Sequence, residues 1–193
     1  MEKYLFIKAT LEAFAKEDFF KKITALVIRI LCGIVVIFSL VSWIKLWKVV
    51  FDMKGSDVVG GIFFQLLFIV GVYMIVHILL IRAKEVSGMR KEEFYVLPII
   101  STVLKMLGEV HAALFVFTGW AGGIFIWIAG QEAKSVINTL PLIKSAGRVS
   151  SDFMGGLTFI IKLTLMGFLA IVLMYAAAEV VKIFHRVEKN TKK

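Results

Sequence analysis

The sequence predicts an all-α integral membrane protein with four transmembrane helices. Three observations carry this. First, four stretches of the 193-residue chain are apolar on every face and long enough for a helix to cross about 30 Å of hydrocarbon. Second, 60% of residues are apolar, only 19% are charged, and mean hydropathy is +0.89. A soluble domain is nearer half apolar and a quarter charged. Third, Lys and Arg gather between the apolar stretches, where they orient helices and meet anionic headgroups. The stretches lack the period of two that a membrane barrel needs. Open strands are excluded because lipid cannot satisfy their amides.

Residues 1–22, MEKYLFIKATLEAFAKEDFFKK, come first and differ in kind. Tyr4, Ile7, Leu11 and Phe14 repeat at spacings of three and four and form one apolar stripe. Lys3, Lys8, Glu12, Lys16 and Glu17 lie off it. This pattern suits an amphipathic helix lying in the membrane interface; a helix packed on another protein is the alternative. Charges interrupt its apolar residues and no small-residue cleavage site follows, so it does not read as a signal peptide. The first span then serves as an uncleaved anchor.

The membrane domain is expected over residues 23–184, with spans near 23–44, 58–81, 107–130 and 156–181. The third is drawn from a longer apolar region, Phe94 to Gly130. As one helix that region would be about 55 Å long, so a division is expected near Met106. Phe94 to Lys105, carrying Pro98, Ser101 and Thr102, would lie along the interface. A single long tilted helix is the alternative. Between the third and fourth spans, Val136, Ile137, Leu140, Ile143 and Ala146 can share one face of a short interfacial helix broken at Pro141. Residues 185–193 form a basic tail.

Lys and Arg counts predict the orientation. The N-terminal segment, the second connection and the tail hold 14, and the other two connections hold six. Both termini are therefore expected in the cytoplasm, in an inner or plasma membrane. Trp43, Trp47, Trp120 and Trp127 agree, because three of the four fall near expected outer ends.

The net charge is +9. No stretch joins a basic run to a groove-entering motif, so nucleic acid is not an expected partner. The expected partners are a bilayer with anionic headgroups and other membrane proteins, including copies of this chain. The lone Cys32 excludes a disulfide framework and a cysteine-only zinc cluster. No phosphate-binding loop, nucleophile elbow, zinc-protease or dinucleotide motif is present, so no catalytic residue and no metal site is assigned.

Polar residues inside apolar spans are candidate functional residues by default. Gln65, Lys105, Glu109 and Lys162 are the intramembrane set. Lys105 and Glu109 are four apart, share a helix face and can neutralise each other. Glu179 and Lys182 can pair in the same way at a spacing of three. Arg29 and Lys162 can reach headgroups along their own stems.

His77 and His111 fall at similar depth on neighbouring antiparallel spans, about 6 to 8 Å inside. Two such imidazoles can hold haem b by both axial positions in a helical bundle. No Cys-x-x-Cys-His is present, so attachment would be non-covalent. Gly119 and Gly123 form Gly-x-x-x-Gly, which lets helices approach closely, within the chain or between chains. Gly60, Gly61, Gly155 and Gly156 open two spans and read as turns or joints.

These readings together predict a non-enzymatic membrane subunit packing in a larger homo- or hetero-oligomeric assembly. A haem-binding electron-transfer subunit using His77 and His111 is one alternative. A small channel or transporter with Glu109 and Lys105 on its path is another.

Overall fold

The computed structural model describes residues 19–89, 96–139 and 150–191. The amphipathic segment 1–22 lies almost wholly outside them, as do Leu140, Ile143 and Ala146 of the third connection. The described residues form four helices and no strand: α1 Phe19–Asp52, α2 Asp57–Gly88, α3 Val96–Thr139 and α4 Phe153–Thr191. Each contains a segment long and apolar enough to cross a membrane. At about 1.5 Å per residue they run from about 48 to 66 Å, so all exceed the hydrocarbon thickness and their ends reach beyond it or tilt within it.

Successive helices are antiparallel, and each packs chiefly on the next in sequence. The result is a row, α1–α2–α3–α4, rather than a closed ring. One end carries the α1–α2 turn, the Gly130 bend of α3 and the start of α4; we call it the hairpin end. The other, terminal end carries Phe19, Gly88, Val96 and the close of α4.

The α1–α2 turn spans Met53 to Ser56, and Gly55 takes φ +61°, the left-handed conformation that a side chain disfavours. At the terminal end, Lys21 donates from Nζ to the Met89 carbonyl oxygen at 3.2 Å and ties the start of α1 to the end of α2.

The core has two halves. Toward the terminal end, Ala25, Ile28 and Cys32 of α1 meet Ile75, Leu79, Ala83 and Val86 of α2 and Ile99 and Met106 of α3. Toward the hairpin end, Phe64 meets Phe125, Ala121, Phe159 and Leu163. Lipid is as apolar as these side chains, so close packing and polar contacts, rather than water exclusion, hold such helices together.

The α3–α4 seam is the most extensive contact. A β-carbon on Gly123 would stand 2.4 Å from Ile160 Cγ1 and 2.9 Å from the Gly156 carbonyl oxygen, and one on Gly119 would stand 2.9 Å from Leu163 Cβ. The Gly119–Gly123 pair therefore serves packing inside this chain. Gly60 and Gly61 also prove to be packing residues rather than a turn. They lie in the first turns of α2, where added β-carbons would meet Phe125 and Ile128, and Val50.

The expected break near Met106 is absent: α3 continues through it. Two physical reasons account for this. Pro98 is the third residue of the helix, where it removes no intrahelical hydrogen bond. The polar residues that suggested an interfacial segment find partners inside the protein. Ser101 Oγ, for example, donates to the buried Ala178 carbonyl oxygen at 3.2 Å. The helical path bends instead at Gly130, with φ +47° and ψ −110°. Beyond that bend Ala133, Val136 and Ile137 fold back into the hairpin-end core, so part of the expected apolar face of this segment is buried. At the opposite end of the chain, α4 runs on through residues 185–191, and most of the basic tail is continuous with the fourth span.

Trp43, Trp47 and Phe51 form an aromatic ladder near the hairpin end of α1, with centroids 5.9 and 5.3 Å apart. Trp127 stacks on Phe153 at 5.2 Å and donates from Nε1 to the Phe153 carbonyl oxygen at 2.9 Å. The fourth helix starts there, capped by Asp152, whose Oδ1 accepts from the Gly155 N–H at 2.6 Å. That hydrogen bond, followed by one from Ser150, holds the Asp152 carboxyl below the usual carboxylate range.

Candidate functional site, a polar cluster joining three helices

Glu109 is the centre of the cluster. It lies on α3, four residues and one turn beyond Lys105. Its partner is not Lys105, as the i, i+4 spacing suggests, but Arg82 of α2. Arg82 donates from Nε to Glu109 Oε2 at 2.9 Å and from the adjacent terminal nitrogen to Oε1. This is the two-pronged guanidinium–carboxylate contact that only Arg can make. Tyr175 of α4 donates its hydroxyl to the same Oε1, and Arg82 reaches the Tyr175 oxygen at 3.3 Å. Three helices thus converge on one carboxylate.

Around this centre the charges balance. Arg82 also pairs with Glu85, one turn along α2. Lys105 stands 5.4 Å from the centroid of the Tyr175 ring, within range of a cation–π contact. Lys182 pairs with Glu179 at 2.6 Å, as their spacing predicts, and the Lys182 and Lys105 ammonium groups are neighbours. Three cations and three anions therefore sum to zero. The Arg82 and Glu109 side chains are only 15% and 20% exposed, so each would be costly in lipid without the other.

The reason these residues meet lies in helix geometry. Arg82 stands six residues before the end of α2, and α3 returns antiparallel beside it. Ala83 and Leu79 keep α2 close to α3, and Gly108 lets α4 approach next to Glu109: a β-carbon there would stand 2.8 Å from Met174 Cβ. Arg82 read as a connection residue in the sequence, and Tyr175 carried no signal at all. The depth argument applied to the histidines would have found the Arg82–Glu109 pair, since both fall at the same end of adjacent antiparallel spans.

The other predicted site residues lie elsewhere. Gln65 is buried in the hairpin-end half and donates from Nε2 to the Trp43 carbonyl oxygen at 3.3 Å. Its Oε1 and the Trp43 Nε1 have no hydrogen-bond partner among the described residues. Lys162 is exposed on α4. The structure brings Lys105 and Glu109 together around Tyr175 and gives Gln65 different neighbours, so the four do not line one path.

His77 and His111 are not brought together either. Both are exposed. His77 stacks on Tyr73, two positions away from the packed Ile75 and Leu79 and so on the far side of α2. His111 engages the Leu107 carbonyl oxygen through Nδ1 at 2.7 Å. Axial haem ligands must face a shared cavity, and these imidazoles point outward. Rotation about the helix axes turns the two side chains away from a shared cavity.

A second feature lies between the two halves of the core. A cleft of about 530 Å³ has α2 as its floor and α1 and α3 as walls. It exists because α1 leans on α2 and scarcely touches α3.

No protein-family model, curated protein or solved structure matches this chain.

Proposed function

We propose that the chain is a non-enzymatic integral membrane subunit that packs against copies of itself or other membrane proteins. The observation that supports this is the peripheral position of α1. Among the buried residues of its 34-residue length are only Ala25, Ile28, Cys32 and Val50, and it is held chiefly by α2, touching α3 only near the terminal end. Helices α2, α3 and α4 supply the rest of the core and the polar cluster. Gly33 sharpens the reading. It lies mid-helix, exposed, with open space where a β-carbon would stand. A mid-helix glycine is unfavourable by about 1 kcal/mol relative to alanine, and nothing among the described residues requires it there. Close approach of a second helix would require it.

In this reading the Arg82–Glu109–Tyr175 cluster is a clamp. It fixes the register of α2, α3 and α4 so that α1 is presented on a rigid platform. The basic balance of the two ends supports a cytoplasmic position for both termini, and for the clamp with them.

Light scattering on the protein extracted in mild detergent tests the proposal. The expected particle holds several chains. Gly33→Leu lowers the mass toward one chain, whereas Gly88→Leu, at another glycine with open space around it, leaves it unchanged. A wild-type particle of one chain, without other polypeptides, overturns the proposal.

A further inference from the structure

We propose that the cleft between α1 and α3 holds one acyl chain of an anionic phospholipid drawn from the surrounding bilayer. Volume comes first. The cleft measures about 530 Å³. A transmembrane helix of 20 residues, about 30 Å long and 10 Å across, occupies roughly 2,400 Å³. A helix therefore cannot enter, whereas the volume lies within the range of about 300–1,000 Å³ typical of small-molecule sites.

Chemistry comes second. The floor and the α3 wall are almost wholly apolar: Phe68, Gly71 and Ile75 on α2, and Ala113, Leu114 and Phe117 on α3. The α1 wall is different. Ser39, Ser42 and Lys45 succeed one another at intervals of three and line the same cleft. These three form a polar strip along α1, flanked by Val35 and Val49. Lys45 stands seven residues before the end of α1, about 10 Å along the axis, so its stem can carry the ammonium toward the headgroup layer. It has no ion-pair partner among the described residues. An apolar trough edged by one cation is complementary to a hydrocarbon chain whose anionic headgroup lies beside that edge.

Access comes third. Because α1 and α3 barely touch, the cleft opens sideways between them. A lateral opening on a membrane-spanning protein faces lipid, so the bilayer supplies the occupant. Gly71 widens the floor, since a β-carbon there would stand 3.0 Å from Phe117 Cβ and force that ring away. The inference does not depend on the oligomeric state of the protein.

Native mass spectrometry on the full chain tests it. The protein would be reconstituted with equal amounts of phosphatidylglycerol and phosphatidylcholine, with oleate added, and then transferred to a mild detergent. One phosphatidylglycerol per chain is expected to remain. Ala113→Phe, which fills the cleft, reduces its retention at least tenfold. Lys45→Gln, an exposed and conservative change, leaves a lipid bound but removes the preference for the anionic headgroup, which one lysine near the surface sets at about fivefold. Retention of oleate without phospholipid overturns the proposal. So does lipid retention that neither variant alters, which marks lipid bound elsewhere on the surface. If Ala113→Phe does not fold, Lys45→Gln decides alone: an unchanged headgroup preference refutes the assignment.

Discussion

The clamp at Glu109 makes a quantitative prediction. Glu109→Leu removes a carboxylate that accepts from two Arg82 nitrogens and from Tyr175. Hydrogen bonds to charged groups contribute about 1.5–3 kcal/mol each, and breaking a fully buried ion pair costs about 3–5 kcal/mol. Two features reduce the figure here. The pair is 15% and 20% exposed, and Arg82 retains Glu85 as a partner. A cost of about 2 kcal/mol is therefore expected. Arg82→Met should cost about the same, because the orphaned carboxylate keeps Tyr175 and has Lys105 only one turn away. The double variant Arg82→Met/Glu109→Leu leaves no uncompensated charge at the centre and should cost only about 1 kcal/mol. Additive behaviour would give about 4 kcal/mol, so a coupling of about 3 kcal/mol is expected, at the upper end of measured pairs. The assay is reversible unfolding of the detergent-solubilised protein by sodium dodecyl sulfate, followed by tryptophan fluorescence. A double variant within about 0.5 kcal/mol of the additive sum would refute the clamp.

Four further outcomes follow from packing and capping. Gly123→Ala drives a methyl group into Ile160 and the Gly156 carbonyl and should cost about 1–3 kcal/mol in the same assay. Gly33→Ala meets open space and should leave the stability of the single chain unchanged or raise it by up to about 1 kcal/mol; a comparable loss from both would show that the seam does not control the effect. Gly130→Ala places a side chain at φ +47° and should cost about 1–2 kcal/mol, read as a lower unfolding midpoint, whereas an unchanged midpoint would deny the bend. Asp152 supplies a pH signature: its carboxyl is held below the usual carboxylate range by the Gly155 N–H and then by Ser150. Its contribution is fully present above the unfolded carboxylate pKa of about 4 and is lost as pH falls through the lower folded value. Thermal scans should therefore show an acid loss below about pH 4 that Asp152→Asn, still a good cap, diminishes; an identical loss in both would exclude Asp152 as its source.

Residue-level comparison shows which kinds of inference transfer from sequence to structure. The Glu179–Lys182 pair lies on one helix, where spacing alone dictates proximity, and the structure contains it. The Lys105–Glu109 pair has equally good spacing, yet Glu109 turns to Arg82, because a guanidinium from a neighbouring helix offers two parallel hydrogen bonds in a fixed planar fork that matches the carboxylate, which an ammonium cannot. Glycine positions were legible, but their use was not. Gly119 and Gly123 marked a close approach, and which helix approaches depends on rotation about the axis. Gly60 and Gly61 resembled a turn only because they stand near the end of an apolar stretch.

By itself, the sequence determined the class of solvent, the secondary structure and the number of spans. Those follow from one-dimensional properties: a stretch is apolar for twenty residues or it is not, and lipid admits only a helix or a closed barrel, whose period of two these stretches lack. Height along a helix was legible too, because residue number converts directly to axial distance at about 1.5 Å per residue. Rotation was not. These spans are apolar on all faces, so no stripe says which side turns inward. The tertiary structure decided that Arg82 and Tyr175 face Glu109, that His77 and His111 face outward, and that α1 stands far enough from α3 to leave a cleft. The approach of Tyr175 to Glu109 depends on packing at small residues such as Gly108, Gly119 and Gly123, whose contacts no pattern along one helix can specify.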